Sequence, residues 1–146
     1  MNYKIKKLNV LFISSTDNYF IENTPSFYRM YKNLLLFYEH KNYNVVVLQP
    51  KRGKKQENKY LRKNIRCYYF REISFFNNKL VHFTDFNPFF IVKVIKILKK
   101  HKIHLIHVDY PYGITILRLL TKHPISYNAY NVEAIYWKQI TKQKGT

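Results

Sequence analysis

A chain of 146 residues suits a single domain built around one core and is short for two. Apolar residues make up 47% of it, enough for a packed core and too many for global disorder. The formal net charge of +18 points to anionic partners: nucleic acid, acidic lipid headgroups or phosphorylated substrates.

The charge also has a compositional reading. Lysine outnumbers arginine 20 to 6, and Asn, Ile, Tyr and Phe are abundant, as in proteins from AT-rich genomes. Arginine would be favoured where planar phosphate recognition matters, and it is the scarcer cation. The single cysteine, Cys67, excludes a disulfide within the chain and a Cys-based zinc site, and fits a reducing cytosol. The apolar stretch 8–13 is too short for the hydrophobic region of a signal peptide, and no run approaches the length of a membrane span. The expected location is the cytoplasm, peripheral to the inner face of the membrane.

In chain order, residues 8–13 form a short apolar run that predicts a buried strand. Thr24 and Pro25 follow as a cap residue and a proline at the first helical position. Phe27, Tyr31, Leu34, Leu35 and Tyr38 then share one helical face. Residues 45–48 predict a second buried strand, ended by Pro50. Residues 51–66 hold eight Lys or Arg and one acid, Glu57. They read either as a solvated connection or as an anion-binding arm. A third strand is predicted over 65–70, and 74–86 is ambiguous. Asn87 and Pro88 open another helix by the same cap logic. Its apolar stripe is Phe90, Ile91, Val94, Ile95 and Leu98, with Lys93, Lys96 and Lys100 on another face. A strand over 103–108, a helix over 114–120 and a strand over 125–129 complete the pattern. Alternating strands and helices imply parallel pairing in an open, doubly wound α/β sheet, whose ligands bind at the carboxyl ends of the strands.

Three strand-end segments therefore draw attention: 14–16, 109–113 and 130–133. Ser15, Asp109, Asn131 and Glu133 are expected to line one cleft. The first of these loops has no glycine, so no dinucleotide fingerprint is present, and there is no phosphate-binding P-loop. His104 and His107 are three apart in one strand and face opposite ways, which argues against a shared metal. No nucleophile has an adjacent base. No resident cofactor or metal is expected. Asn131 and Glu133 follow a strand directly and suit sugar hydroxyls, but they equally suit a helix cap and a favourable first turn.

Over nearly its whole length the chain resembles the amino-terminal domain of retaining GT-B glycosyltransferases of the group 1, family 4 type. A first strand ends in a small polar loop, and a helix carrying Arg29 leads to the strand Asn44-Val45-Val46-Val47-Leu48-Gln49-Pro50. The fourth strand, Ile103-His104-Leu105-Ile106-His107-Val108-Asp109, also follows the family. So does Tyr130-Asn131-Val132-Glu133, similar to a His-Asn-Val-Glu turn. The family has histidine where this chain has Tyr130, and a glycine-rich turn after the first strand that this chain lacks.

The resemblance implies a Rossmann-like half of a GT-B fold, with Ser15, Arg29, Asp109, Tyr130, Asn131 and Glu133 as substrate-binding residues. It implies transfer of a sugar from a nucleotide-sugar to a lipid-linked or saccharide acceptor. In the family the donor is held mostly by a second Rossmann-like domain bearing a glutamate pair. The sequence stops where that domain would begin. The expectation is a fragment, a truncated product or one subunit of a split enzyme, inactive alone. A non-catalytic anion- or nucleic-acid-binding module is the alternative. Lysines and aromatics suit stacking on single strands, but no RNA-binding motif is present.

Overall fold

A computed structural model describes residues 6–22, 26–51, 60–73 and 84–128. Among these residues are five strands and three helices, in the order β1 (Leu8–Ser14), α1 (Phe27–Glu39), β2 (Tyr43–Pro50), β3 (Arg66–Phe70), α2 (Pro88–Lys100), β4 (Ile103–Asp109), α3 (Ile114–Leu120) and β5 (Ile125–Asn128). The strands lie in one sheet in the order β3-β2-β1-β4-β5, and every pair is parallel. The expected open α/β fold is therefore what the chain forms. Its order reverses between β1 and β4, the neighbours on either side of the switch point.

Period-two alternation divides β1 between two cores. Val10 and Phe12 face α1 and pack with Phe27, Met30 and Leu34, together with Val45 and Val47 of β2. Leu11 and Ile13 face the other way, toward Phe90, Val94 and Ile97 of α2 and Leu117 of α3. Helices thus cover both faces, which is why β1 and β2 read as unbroken apolar runs rather than alternating ones. Phe12 has no accessible surface. Burial of such a ring is worth roughly 1.5–3 kcal/mol, and its edge-on contacts with Tyr19 and Phe37 add to that.

The helical stripes need small corrections. In α2 the buried residues are Phe90, Val94 and Ile97, a spacing of four then three. Ile91 and Leu98 flank this line against the core. Ile95, expected in the stripe, lies off it, and Ile97 takes its place. In α1, Met30 joins Phe27, Tyr31 and Leu34 in the interior.

Local chemistry sets the helix starts. Asn87 caps α2 as expected: its side-chain oxygen accepts the N–H groups of Phe89 at 2.9 Å and Phe90 at 3.3 Å. Pro88 fills the first helical position. Helix α1 begins at Phe27 with Ser26 in the cap position and no side-chain cap bond. The expected Thr24–Pro25 cap lies outside the described residues. Helix α3 borrows its cap from elsewhere. Asp85 accepts the N–H groups of Gly113 at 3.3 Å and Ile116 at 3.0 Å. Ile65, assigned above to the third strand, precedes β3. Its N–H bonds the Arg62 carbonyl at 3.1 Å, in a turn rather than in the sheet.

Candidate functional site: a buried polar cluster at the carboxyl edge

The carboxyl ends of β1, β2 and β4 meet the loop that follows β1. Ser14 and Asp109 are register partners across the switch point, the last residues of β1 and β4. Asp109 is fully buried. A bare carboxylate there would be costly to desolvate, so the fold surrounds it with donors. The Tyr19 hydroxyl donates to one carboxylate oxygen, and Asn128 Nδ2, from the neighbouring strand β5, donates to the other at 3.3 Å. His107 Nε2 lies 3.7 Å from that second oxygen.

The loop is shaped around this carboxylate by short-range bonds. Ser14 Oγ accepts the Asp17 N–H at 3.1 Å, and Asn18 Oδ1 accepts the Phe20 N–H at 2.9 Å, both tight side-chain turns. The Tyr19 N–H reaches Gln49 Oε1 of β2 at 2.8 Å. These bonds put Tyr19 and Phe20 fully inside, with the Tyr19 hydroxyl on Asp109.

Asp17 holds a second layer. It accepts from Ser26 Oγ at 3.0 Å and from the Tyr110 hydroxyl at 2.6 Å. Burial, and then the bond to Asp17, keep the Tyr110 phenol protonated well above the ordinary tyrosine range. Tyr110 also adopts a left-handed backbone with φ of 79°. A non-glycine residue holds that conformation only under constraint, at a cost of about 1–3 kcal/mol. Such strain directly after a strand at the switch point marks the segment as one the surrounding structure fixes in place.

Three buried polar atoms have no hydrogen-bond partner among the described residues: Ser15 Oγ, Gln49 Nε2 and His107 Nε2. All belong to residues at or near the carboxyl ends of β1, β2 and β4. Donors and acceptors left open inside a protein are unfavourable by about 1–3 kcal/mol each. Of these, His107 Nε2 lies 3.7 Å from the Asp109 carboxylate, and Gln49 belongs to the residue pair that seats Tyr19, whose hydroxyl bonds Asp109. Open polar atoms of this kind can pair with hydroxyl-bearing ligand atoms. Among the described residues no group of three or more His, Cys, Asp or Glu is placed to hold a metal ion.

Of the residues singled out in the sequence, Ser15 and Asp109 belong to this edge and are both buried. Arg29 lies on α1 with its side chain exposed. Tyr130, Asn131 and Glu133 lie outside the described residues. Tyr19, Gln49, Asn128 and His107 were not foreseen as part of a site. Gln49 did carry a signal, as a lone amide between Leu48 and Pro50 at the end of an apolar strand. The short apolar run at 19–21, inside an otherwise polar loop, was another.

The fold and this edge define the class: an open, Rossmann-like α/β domain with a polar cluster at its topological switch point. No family model matches the chain, and no curated protein matches it.

Proposed function

We propose that this domain is the acceptor-side half of a GT-B-type glycosyltransferase, working with a second Rossmann-like domain that holds the nucleotide-sugar. The observation that carries this reading is the buried Asp109 at the β1–β4 switch point, bonded by Tyr19 and Asn128, with unpartnered buried polar atoms of Ser15, Gln49 and His107 at or near the ends of the same strands. In open α/β sheets that crevice is where ligands sit. Neutral amides and hydroxyls beside one carboxylate suit a polyhydroxylated acceptor, whose hydroxyls both donate and accept. The first loop has no glycine to let a backbone approach a diphosphate. Donor binding therefore falls to the second domain, in accord with the family resemblance. The acceptor is a saccharide or a lipid-linked saccharide, and the basic surface suits one presented at an acidic membrane.

The test is acceptor binding by the purified 146-residue chain, read by saturation-transfer NMR against a panel of mono- and disaccharides and polyprenyl-linked sugars. Saccharide binding is expected, and Ser15→Ala should weaken it about tenfold. The same substitution removes a buried hydroxyl with no hydrogen-bond partner among the described residues, so stability in urea should be unchanged or slightly raised. Failure to bind any saccharide, or binding that Ser15→Ala leaves intact, would overturn the reading.

A further inference from the structure

At the opposite edge of the sheet, beneath the amino ends of β1, β2 and β3, lies a cleft of about 710 Å³. Lys7 precedes β1, Lys63 lies in the turn before β3, and Arg66 opens β3. All three side chains line the cleft, with Glu39 the one acid beside them. Tyr43 and His101 also line it. None of the three cations has a carboxylate partner among the described residues, so the cleft keeps a net positive charge. Its volume falls within the range of small-molecule sites, about 300–1,000 Å³.

Arg66 is held in position. Its Nη1 donates to His101 Nδ1 at 3.3 Å, since a guanidinium can only donate. That assigns the ring proton to Nε2, which then donates to the Tyr68 hydroxyl at 2.7 Å. His101 is buried and stays neutral: desolvation, then the charges of Arg66 and Lys100, lower its pKa. A neutral ring accepting from Arg66 fixes the guanidinium plane and leaves its other N–H groups free for the cleft. Most of the basic surface consists of lysines; this cleft instead presents one of only six arginines, oriented on a two-residue relay. A planar fork flanked by two ammonium groups matches a phosphate, whose oxygens take paired N–H bonds.

We propose that this cleft is a second ligand site, which takes a phosphate-bearing anion on Arg66, Lys63 and Lys7. It shares no residue with the carboxyl-edge cluster. The strands between them are about seven residues, or roughly 20 Å, long, so the two sites can be occupied independently. The phosphate is either that of a free metabolite or that of a lipid headgroup.

The experiment uses the full chain in two arms. Inorganic pyrophosphate is titrated calorimetrically, and vesicles of phosphatidic acid in phosphatidylcholine are sedimented with the protein. Arg66→Gln and Lys63→Ala are compared with Arg118→Gln, which removes an exposed arginine from α3. Pyrophosphate affinity should fall roughly tenfold in Arg66→Gln and several-fold in Lys63→Ala, and be unchanged in Arg118→Gln. His101→Phe, which keeps Arg66 but removes its acceptor, should give an intermediate loss. Loss in the pyrophosphate arm alone identifies a free phosphate; loss in both arms identifies a headgroup. Equal weakening by Arg66→Gln and Arg118→Gln would reduce the effect to net charge and overturn the site. So would the absence of binding in both arms. Lys63 is exposed in a turn, so its variant reports even where Arg66→Gln unfolds.

Discussion

Single residues divide into those whose position the sequence announces and those that only the fold assembles. Asp109 was legible because it stands at the carboxyl end of a predicted strand, where ligands of open α/β sheets bind. Its partner Tyr19 was not, because 90 residues separate them and only the return of the loop over the sheet joins them. His101 is a sharper case. In the sequence it is one histidine among lysines at the end of a helix. Between Arg66 and Tyr68 it becomes a neutral acceptor with a lowered pKa. The sign of its contribution to stability follows. The folded state disfavours the protonated ring, while the unfolded chain protonates near the ordinary histidine value of about 6.5. The stabilisation is present above that value and is lost as the pH falls below it. Thermal or urea unfolding of the wild type should therefore show declining stability from about pH 7 to 5. His101→Asn should flatten that slope. A slope identical in both proteins would mean that His101 titrates as it does in the unfolded chain.

Elements were the scale at which the sequence spoke most clearly. The apolar runs of β1, β2 and β4 and the cap of α2 are written in local patterns, and parallel order followed from their alternation. What remained hidden were contributions from a distance. Helix α3 is only seven residues long and has Gly113, not a polar residue, at its cap position. Its first N–H groups are satisfied by Asp85, 28 and 31 residues earlier, in a segment without readable periodicity. Gly113 itself is required by geometry. Its φ is 93°, and an added Cβ would lie 3.2 Å from both Phe90 and Thr84 side-chain atoms. Replacing Asn87 by Ala should cost about 0.5–2 kcal/mol, the usual worth of a cap. Asn87→Asp, which keeps the oxygen but loses the 2.9 Å donation to the Arg71 carbonyl, should cost less. Gly113→Ala should cost at least about 1 kcal/mol through the left-handed backbone alone. Urea midpoints at constant m-value decide these rankings. An Asn87→Asp variant less stable than Asn87→Ala would show that a carboxylate placed against the Arg71 carbonyl costs more than the retained cap returns.

For the whole molecule the question is what the excess of positive charge does. In the described part of the chain it is not spread evenly in kind. The outer face of α2 carries Lys96, Lys99 and Lys100 beside exposed Phe89 and Val92, with Phe86 standing out just before the helix. Basic and aromatic side chains on one helix face suit an acidic membrane surface, where each lysine contributes about 1 kcal/mol and the rings add interfacial contact. No described helix is long and apolar enough to cross a membrane. Contact through this face would not draw on the buried carboxyl-edge cluster. We expect the purified chain to sediment with vesicles containing phosphatidylserine at low salt and to be released as salt rises past about 0.15 M, where the screening length is near 8 Å. Phe89→Ser should weaken binding at every salt concentration without changing the salt slope, because the ring carries no charge. Lys96→Gln with Lys99→Gln should lower the slope itself. Equal sedimentation with neutral and acidic vesicles would sink the electrostatic account. A salt slope unchanged by the lysine substitutions would move the contact to another face of the protein.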